Sequence, residues 1–251
     1  MNKIIIDKEE IKLQRITKKI DVSYEVRNSI FGITKILVKV LDDCSIDIFC
    51  NTSNNKIDII LDVVENKIVN INEYTLGDKI KIQYSYNIDA NSIVNINKYN
   101  NCTNIREMNI INLNGINSTY NVILKVISNT KDIYDICINH NSNNTISNIN
   151  NNILCITPGR VQLQVTTNIF DNIKNCTVKY NNIILDCSKH QCEIKPNFYI
   201  NNYNNEITNN SSIICNKDID INEFLLSDLN NRKICNKIKK DIKNIGGDLY
   251  Q

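Results

Sequence analysis

Ten cysteines and two histidines are the residues of this chain that could ligate a metal or act as nucleophiles. Thiolate and imidazole suit zinc or iron–sulfur centres, but zinc modules bring their ligands in close pairs. No C-x-x-C occurs, and the nearest spacings are Cys44 to Cys50 and Cys187 to Cys192. Cys187, His190 and Cys192 form the one local cluster, a weak candidate metal site whose competing reading is ordinary half-buried cysteines. A disulfide framework would need an oxidising compartment. The sequons Asn117-Ser118-Thr119 and Asn143-Asn144-Thr145 follow from the abundance of Asn. There is no G-x-S-x-G, H-E-x-x-H or phosphate-binding glycine loop. Asp42-Asp43 and Asp218 with Asp220 read as solvated turns and caps, so no catalytic residues are assigned and the chain is expected not to be an enzyme.

These residues must be positioned by short strands. From Ile30 onward the apolar period is two: Ile33–Val40, Cys44–Phe49 and Lys56–Val63 alternate β-branched and polar residues, as half-buried strands do. The pattern returns at 79–88, 92–97, 108–113, 120–126 and 135–139. Asn-rich corners such as 139–144 and Tyr180-Asn181-Asn182 separate them, and Asn114-Gly115 is the one NG dipeptide in the chain. Hairpin sandwiches usually need more such turns. Stacked turns instead let side-chain amides bond along the stack, with each rung burying its Ile, Leu and Val against the next. The class is therefore all-β, and a solenoid is favoured over a sandwich or barrel.

At 251 residues, 42% hydrophobic and 22% charged, the composition is that of a globular protein. The excess of Asn, Ile and Lys reads as the mark of an AT-rich genome. A net charge of +2, from 29 basic and 27 acidic residues, gives no footprint for nucleic acid. No apolar run reaches membrane-spanning length, and residues 1–7 are too short and too soon charged for a signal peptide. The chain is expected to be soluble, not secreted and not bound to a membrane. Three regions are expected: a charged lead-in over 1–29, for which a helix is one reading, a β core over 30–214, and a helical region over 215–251. In the last, Ile221, Phe224, Leu225 and Leu229 fall on one helical face, which on the plainest reading covers the open end of the stack.

The stretch from Thr177 to Ile213 resembles the C-terminal core of the SufB/SufD family of iron–sulfur cluster assembly proteins. Asn182-Ile183-Ile184-Leu185 matches a first strand, Pro196-Asn197-Phe198-Tyr199-Ile200 a Pro and second strand, and Glu206 to Ile213 the segment that holds a His in the family. Asp220 to Leu226 matches the start of a C-terminal helix. Asn139-His140 with Asn144 and Ser147, followed by Gly159-Arg160-Val161, is similar to the family's entry into the core. The resemblance covers about residues 120 to 240 and leaves SufB and SufD unseparated.

What the resemblance implies is a right-handed parallel β-helix core with a short α-helical C-terminal region. It further implies a scaffold subunit of the SUF complex, pairing with a homologous β-helix subunit and docking a SufC-type ATPase through Ile221, Phe224, Leu225 and Leu229. The family's ligand positions are substituted: Asn181 stands for the Cys of SufB-type chains, and Thr208, Asn209 and Asn210 for the His-bearing run. No cofactor is then expected to stay on this chain alone, and a transient iron–sulfur cluster would form only in the complex, on Cys187 and Cys192 or on ligands from the mate. The expected location is a bacterial cytoplasm or, if organelle-encoded, a plastid stroma. The alternative is a non-catalytic β-solenoid or β-sandwich binding protein with no role in metal assembly.

Overall fold

A strand that alternates apolar and polar side chains must bury one face, and a chain rich in such strands but poor in tight hairpin turns can do so by coiling. The structure, a computed structural model describing residues 1–7, 10–27, 33–189, 191–202, 204–215 and 224, is such a coil. Its N-terminal strands are β1 (Asn2–Asp7), β2 (Glu10–Gln14) and β3 (Ile20–Arg27). The coil follows with β4 (Ile33–Val40), β5 (Cys44–Ser53), β6 (Lys56–Val63), β7 (Ile68–Asp78), β8 (Lys81–Ile88), β9 (Ile93–Thr103) and β10 (Arg106–Leu113). It continues through β11 (Thr119–Ser128), β12 (Lys131–His140), β13 (Ile146–Cys155), β14 (Arg160–Ile169), β15 (Thr177–Asp186), β16 (Gln191–Ile200) and β17 (Glu206–Cys215). From β4 on, successive strands alternate between two sheets, and each pairs in parallel with the strand one turn away, giving about seven turns. Sheet A runs β17-β15-β13-β11-β9-β7-β5-β1-β2 and sheet B runs β16-β14-β12-β10-β8-β6-β4-β3. The all-β, parallel β-solenoid expectation holds.

Turn length grows along the chain. Side-chain bonds between stacked positions join residues 25 apart in the early turns and 31 apart near the end. The corners explain why Asn is so frequent. Asn66, Asn91, Asn117, Asn144 and Asn175 all adopt φ near +60°, a region Asn tolerates better than most residues. Each of the last four donates its amide N–H to the previous Oδ1, at 2.9 to 3.2 Å. The single NG is no hairpin: a Cβ at Gly115 would lie 1.9 Å from the backbone N of Ala90 in the turn below.

The two ends differ. At the N-terminal end β2 pairs antiparallel with β1, and β3 antiparallel with β4, so the stack is closed by strands running against it. The lead-in is therefore strand where a helix was one reading: the open edge of β1 gives Glu10–Gln14 a ladder, which outweighs local helix propensity. At the other end β17 pairs with β15 and is exposed at every position, with Ile207, Ile213 and Ile214 open to solvent. Of the region expected to be helical, 215–251, Cys215 is instead the last residue of β17, Phe224 is helical, and the rest lies outside the described residues.

Candidate functional site

The outer face of sheet A is built from four columns of side chains, set by register. Two are amide columns. Asn95 donates to Asn70, Asn121 to Asn95 and Asn148 to Asn121, at 2.7 to 3.0 Å. Beside them Asn72 donates to Asp47, Asn97 to Asn72 and Asn181 to Asn150, at 2.9 to 3.2 Å. Ile123 interrupts the second column between Asn97 and Asn150. Around this break lies a groove of about 460 Å³, reaching Lys179, Asn181, Thr208 and Asn210 at the last two strands.

Three of the four substituted family positions, Asn181, Thr208 and Asn210, thus converge on one groove. Asn209 does not: it stands beside buried Tyr180 on the interior phase of β17, and accepts a hydrogen bond from Ser211 Oγ at 2.9 Å. The groove offers amide N–H and C=O groups and one ammonium, on Lys179. Ile96, Val122, Ile123 and Ile149 add apolar wall between them, and without thiolate, imidazole or carboxylate among these positions its donor set does not fit an iron–sulfur cluster.

The cysteine candidates separate. Cys187 packs beside an apolar cluster on the outside of sheet A, whereas Cys192 packs against the inner core. His190 lies outside the described residues. Across the interior, Cys192 Sγ lies 3.9 Å from Cys155 Sγ, and burial raises both thiols, with Cys155 pushed furthest. Nine cysteines are described and all are unbonded thiols. Among the described residues no three His, Cys, Asp or Glu side chains converge on a metal position.

The remaining outer columns of sheet A are apolar. Phe49, Tyr74 and Tyr99 lead to Lys125 in one, and Leu76 lies near Ile127, Leu154 and Leu185 in the other. Phe224 is buried on this stripe with Tyr74, Tyr99, Ile127 and Leu154. Its ring is therefore turned to the flank of the solenoid, not to solvent and not over the open end. Ile221, Leu225 and Leu229 lie outside the described residues.

Sequence reasoning missed two polar clusters inside the coil. In the first, Lys98 Nζ lies 2.8 Å from Glu73 Oε2 and 2.7 Å from Glu107 Oε1, donates to Asn109 Oδ1 at 2.8 Å, and stands 3.5 Å from the centre of the Tyr84 ring. Glu73 Oε2 is an ion-pair partner without hydrogen-bond alignment, while its Oε1 accepts from Tyr86 Oη at 2.6 Å. Asn100 and Asn109 donate to the two oxygens of Glu107 at 2.6 and 2.7 Å. Burial holds the Glu73 carboxyl above its usual range against the pull of Lys98. In the second, His140 Nδ1 is 2.7 Å from Thr145 Oγ1 and Nε2 is 3.1 Å from Ser147 Oγ. Burial lowers the imidazole to about 4. Both clusters are shut off from solvent, so they hold the coil together and face no substrate. Scanned against models of known protein families and searched against the curated proteins, the chain matches none.

Proposed function

We propose that the chain is a non-enzymatic scaffold subunit of a SUF-type iron–sulfur assembly complex, working by pairing with a homologous β-solenoid and engaging a SufC-type ATPase. The observation that carries this reading is the asymmetry of the two ends. One end is closed by antiparallel strands, while among the described residues β17 keeps a full-length exposed edge with three exposed isoleucines. An open parallel edge of that length is a template for another strand, and monomeric proteins normally blunt such edges. The exposed edge of β17 supports continuation of the stack by a second solenoid. The parallel β-solenoid that the resemblance implied is the architecture found. Because Asn181, Thr208, Asn209 and Asn210 bring no soft ligand, this subunit serves as the structural half of the pair and its mate supplies the cluster ligands.

The test is co-expression under anaerobic conditions with a homologous solenoid subunit and a SufC-type ATPase. Affinity capture of either partner should retain this chain. Ile207→Glu with Ile213→Glu should lose the solenoid partner while the melting temperature of the free chain stays within about 2 °C. Failure of the unaltered chain to be retained by either partner would sink the proposal. A second reading is favoured by a different observation: the groove at Ile123, apolar walls edged by Asn side chains and Lys179, suits a small ligand with both apolar and polar groups, as in a non-catalytic binding solenoid. Binding of a small ligand there, lost when Ile123 is changed to Glu, with no capture by either partner, would decide for it.

A further inference from the structure

An apolar stripe on the outside of a soluble solenoid has to be covered. Sheet A carries one beside its amide columns, formed by Tyr74, Tyr99, Ile127 and Leu154, and Phe224 is seated in it at 6% exposure. Lys125 shows that the seat is built. It is an outward-facing residue of β11, yet it is 1% exposed. Its ammonium donates a hydrogen bond to the main-chain carbonyl of Phe224 and lies 5.2 Å from the centre of the Phe224 ring. A lysine at that position would be solvated on a bare flank. Its burial follows from something lying over it.

We infer that this flank groove is the docking site of the chain's own C-terminal segment, residues 216–251, with Phe224 as the plug and Lys125 as the clamp over it. The geometry permits the return. From β17 back to β11 is three strand spacings, about 15 Å, and the nine residues from Cys215 to Phe224 reach roughly 30 Å when extended. The link carries six polar residues, at 216–218, 220 and 222–223, around single isoleucines at 219 and 221, and Phe224-Leu225-Leu226 is the first apolar run after it. The consequence is a division of surfaces. Phe224 is held on the flank at β7 to β13, so a partner that engages this ring or its seat sits beside sheet A and not over the open end. The docking site stands independently of the SUF reading, since it rests on contacts within this chain.

The test is limited trypsin digestion of the full-length protein, followed by intact mass. Lys217 and Lys233 flank Phe224 and report whether the segment is held. Phe224→Ala should speed cleavage at these two sites at least tenfold, with the solenoid body left whole. Ile127→Ser, on the groove side, should speed the same two sites, and Phe224→Leu should stay within threefold of the unaltered chain because it still fills the seat. Cleavage at Lys217 and Lys233 that is equally fast in the unaltered chain and in both Phe224 variants would overturn the inference. So would acceleration by Phe224→Ala with none by Ile127→Ser, because the groove would then not be what the ring is held by.

Discussion

Replacing Lys98 by Met removes the one cation that stands between Glu73 and Glu107. The side chain is 3% exposed, and both carboxylates are fully buried. At an effective dielectric of about 20, a unit pair at 2.8 Å attracts by roughly 6 kcal/mol. Two such pairs are lost, and the ammonium's own desolvation cost goes with them, so the net effect is the ~3–5 kcal/mol typical of breaking a buried pair from one side. Loss of the cation over the Tyr84 ring adds about 1–2 kcal/mol. Urea unfolding followed by circular dichroism should show K98M with a much lower midpoint at neutral pH. The sign with pH follows from Glu73. Its carboxyl is already raised by burial, so its contribution is most favourable below the ordinary carboxylate range and is lost as pH rises. K98M should therefore recover stability as the pH is lowered and Glu73, raised by burial, takes a proton. The triple variant E73Q/K98M/E107Q should regain most of the lost stability, because no buried charge remains. A cost below about 1 kcal/mol for K98M, or a triple variant worse than the single, would refute the reasoning.

Three further outcomes follow. His140 is buried with its imidazole lowered to about 4 from an ordinary 6.5, so the unfolded chain binds its proton first and stability falls as pH drops through that window. The drop should reach about 3 kcal/mol in the difference curve between the unaltered chain and His140→Asn, as read by urea unfolding between pH 7 and 4. At the corner, Asn144→Ala loses two ladder bonds and puts Ala at φ +58°, costing about 1–2 kcal/mol, whereas Asn144→Gly keeps the backbone and should cost less; thermal melts of the two decide. Thiol titration should read ten free cysteines in denaturant. In the native protein Cys50, pushed up to about 12 by burial, should stay unreactive at pH 8 over the minutes in which exposed Cys215 is consumed.

Period-two alternation made the strands readable, because the same face of each rung must be apolar: Ile57, Ile59, Leu61 and Val63 lie on the core side of β6 as their spacing requires. The Asn corners were readable in part: Asn144 takes a corner with positive φ and ladders its amide, whereas Tyr180-Asn181-Asn182, expected as a corner, lies within β15, where Asn also ladders along a strand face. The lead-in was not. Glu10–Gln14 carries helix-forming charge, and only the edge of β1, distant in local preference though near in sequence, makes it a strand. The interior charges were hidden for another reason. Glu73 and Lys98 stand on the inward phase of their strands, but nothing in either segment shows that a 25-residue turn stacks one on the other. Cys192 meets Cys155 across the coil, 37 residues away, and not Cys187 nearby, because the corner after β15 sends the two neighbours to opposite sides of sheet A. Three of the family-derived positions came together as a groove, since register alone carries Asn181 beside Asn210 and Lys179 beside Thr208.

The central claim is that the open edge of β17 is continued by a second solenoid in an assembly that also holds an ATPase. Native mass spectrometry of the anaerobically co-purified material tests it most directly. The account predicts one species containing this chain, one homologous solenoid subunit and two copies of the SufC-type ATPase, and its dissociation when Ile207 and Ile213 are changed to Glu. A spectrum in which this chain flies only at its own 28.9 kDa, with the ATPase and the homologous subunit bound to each other, would contradict it.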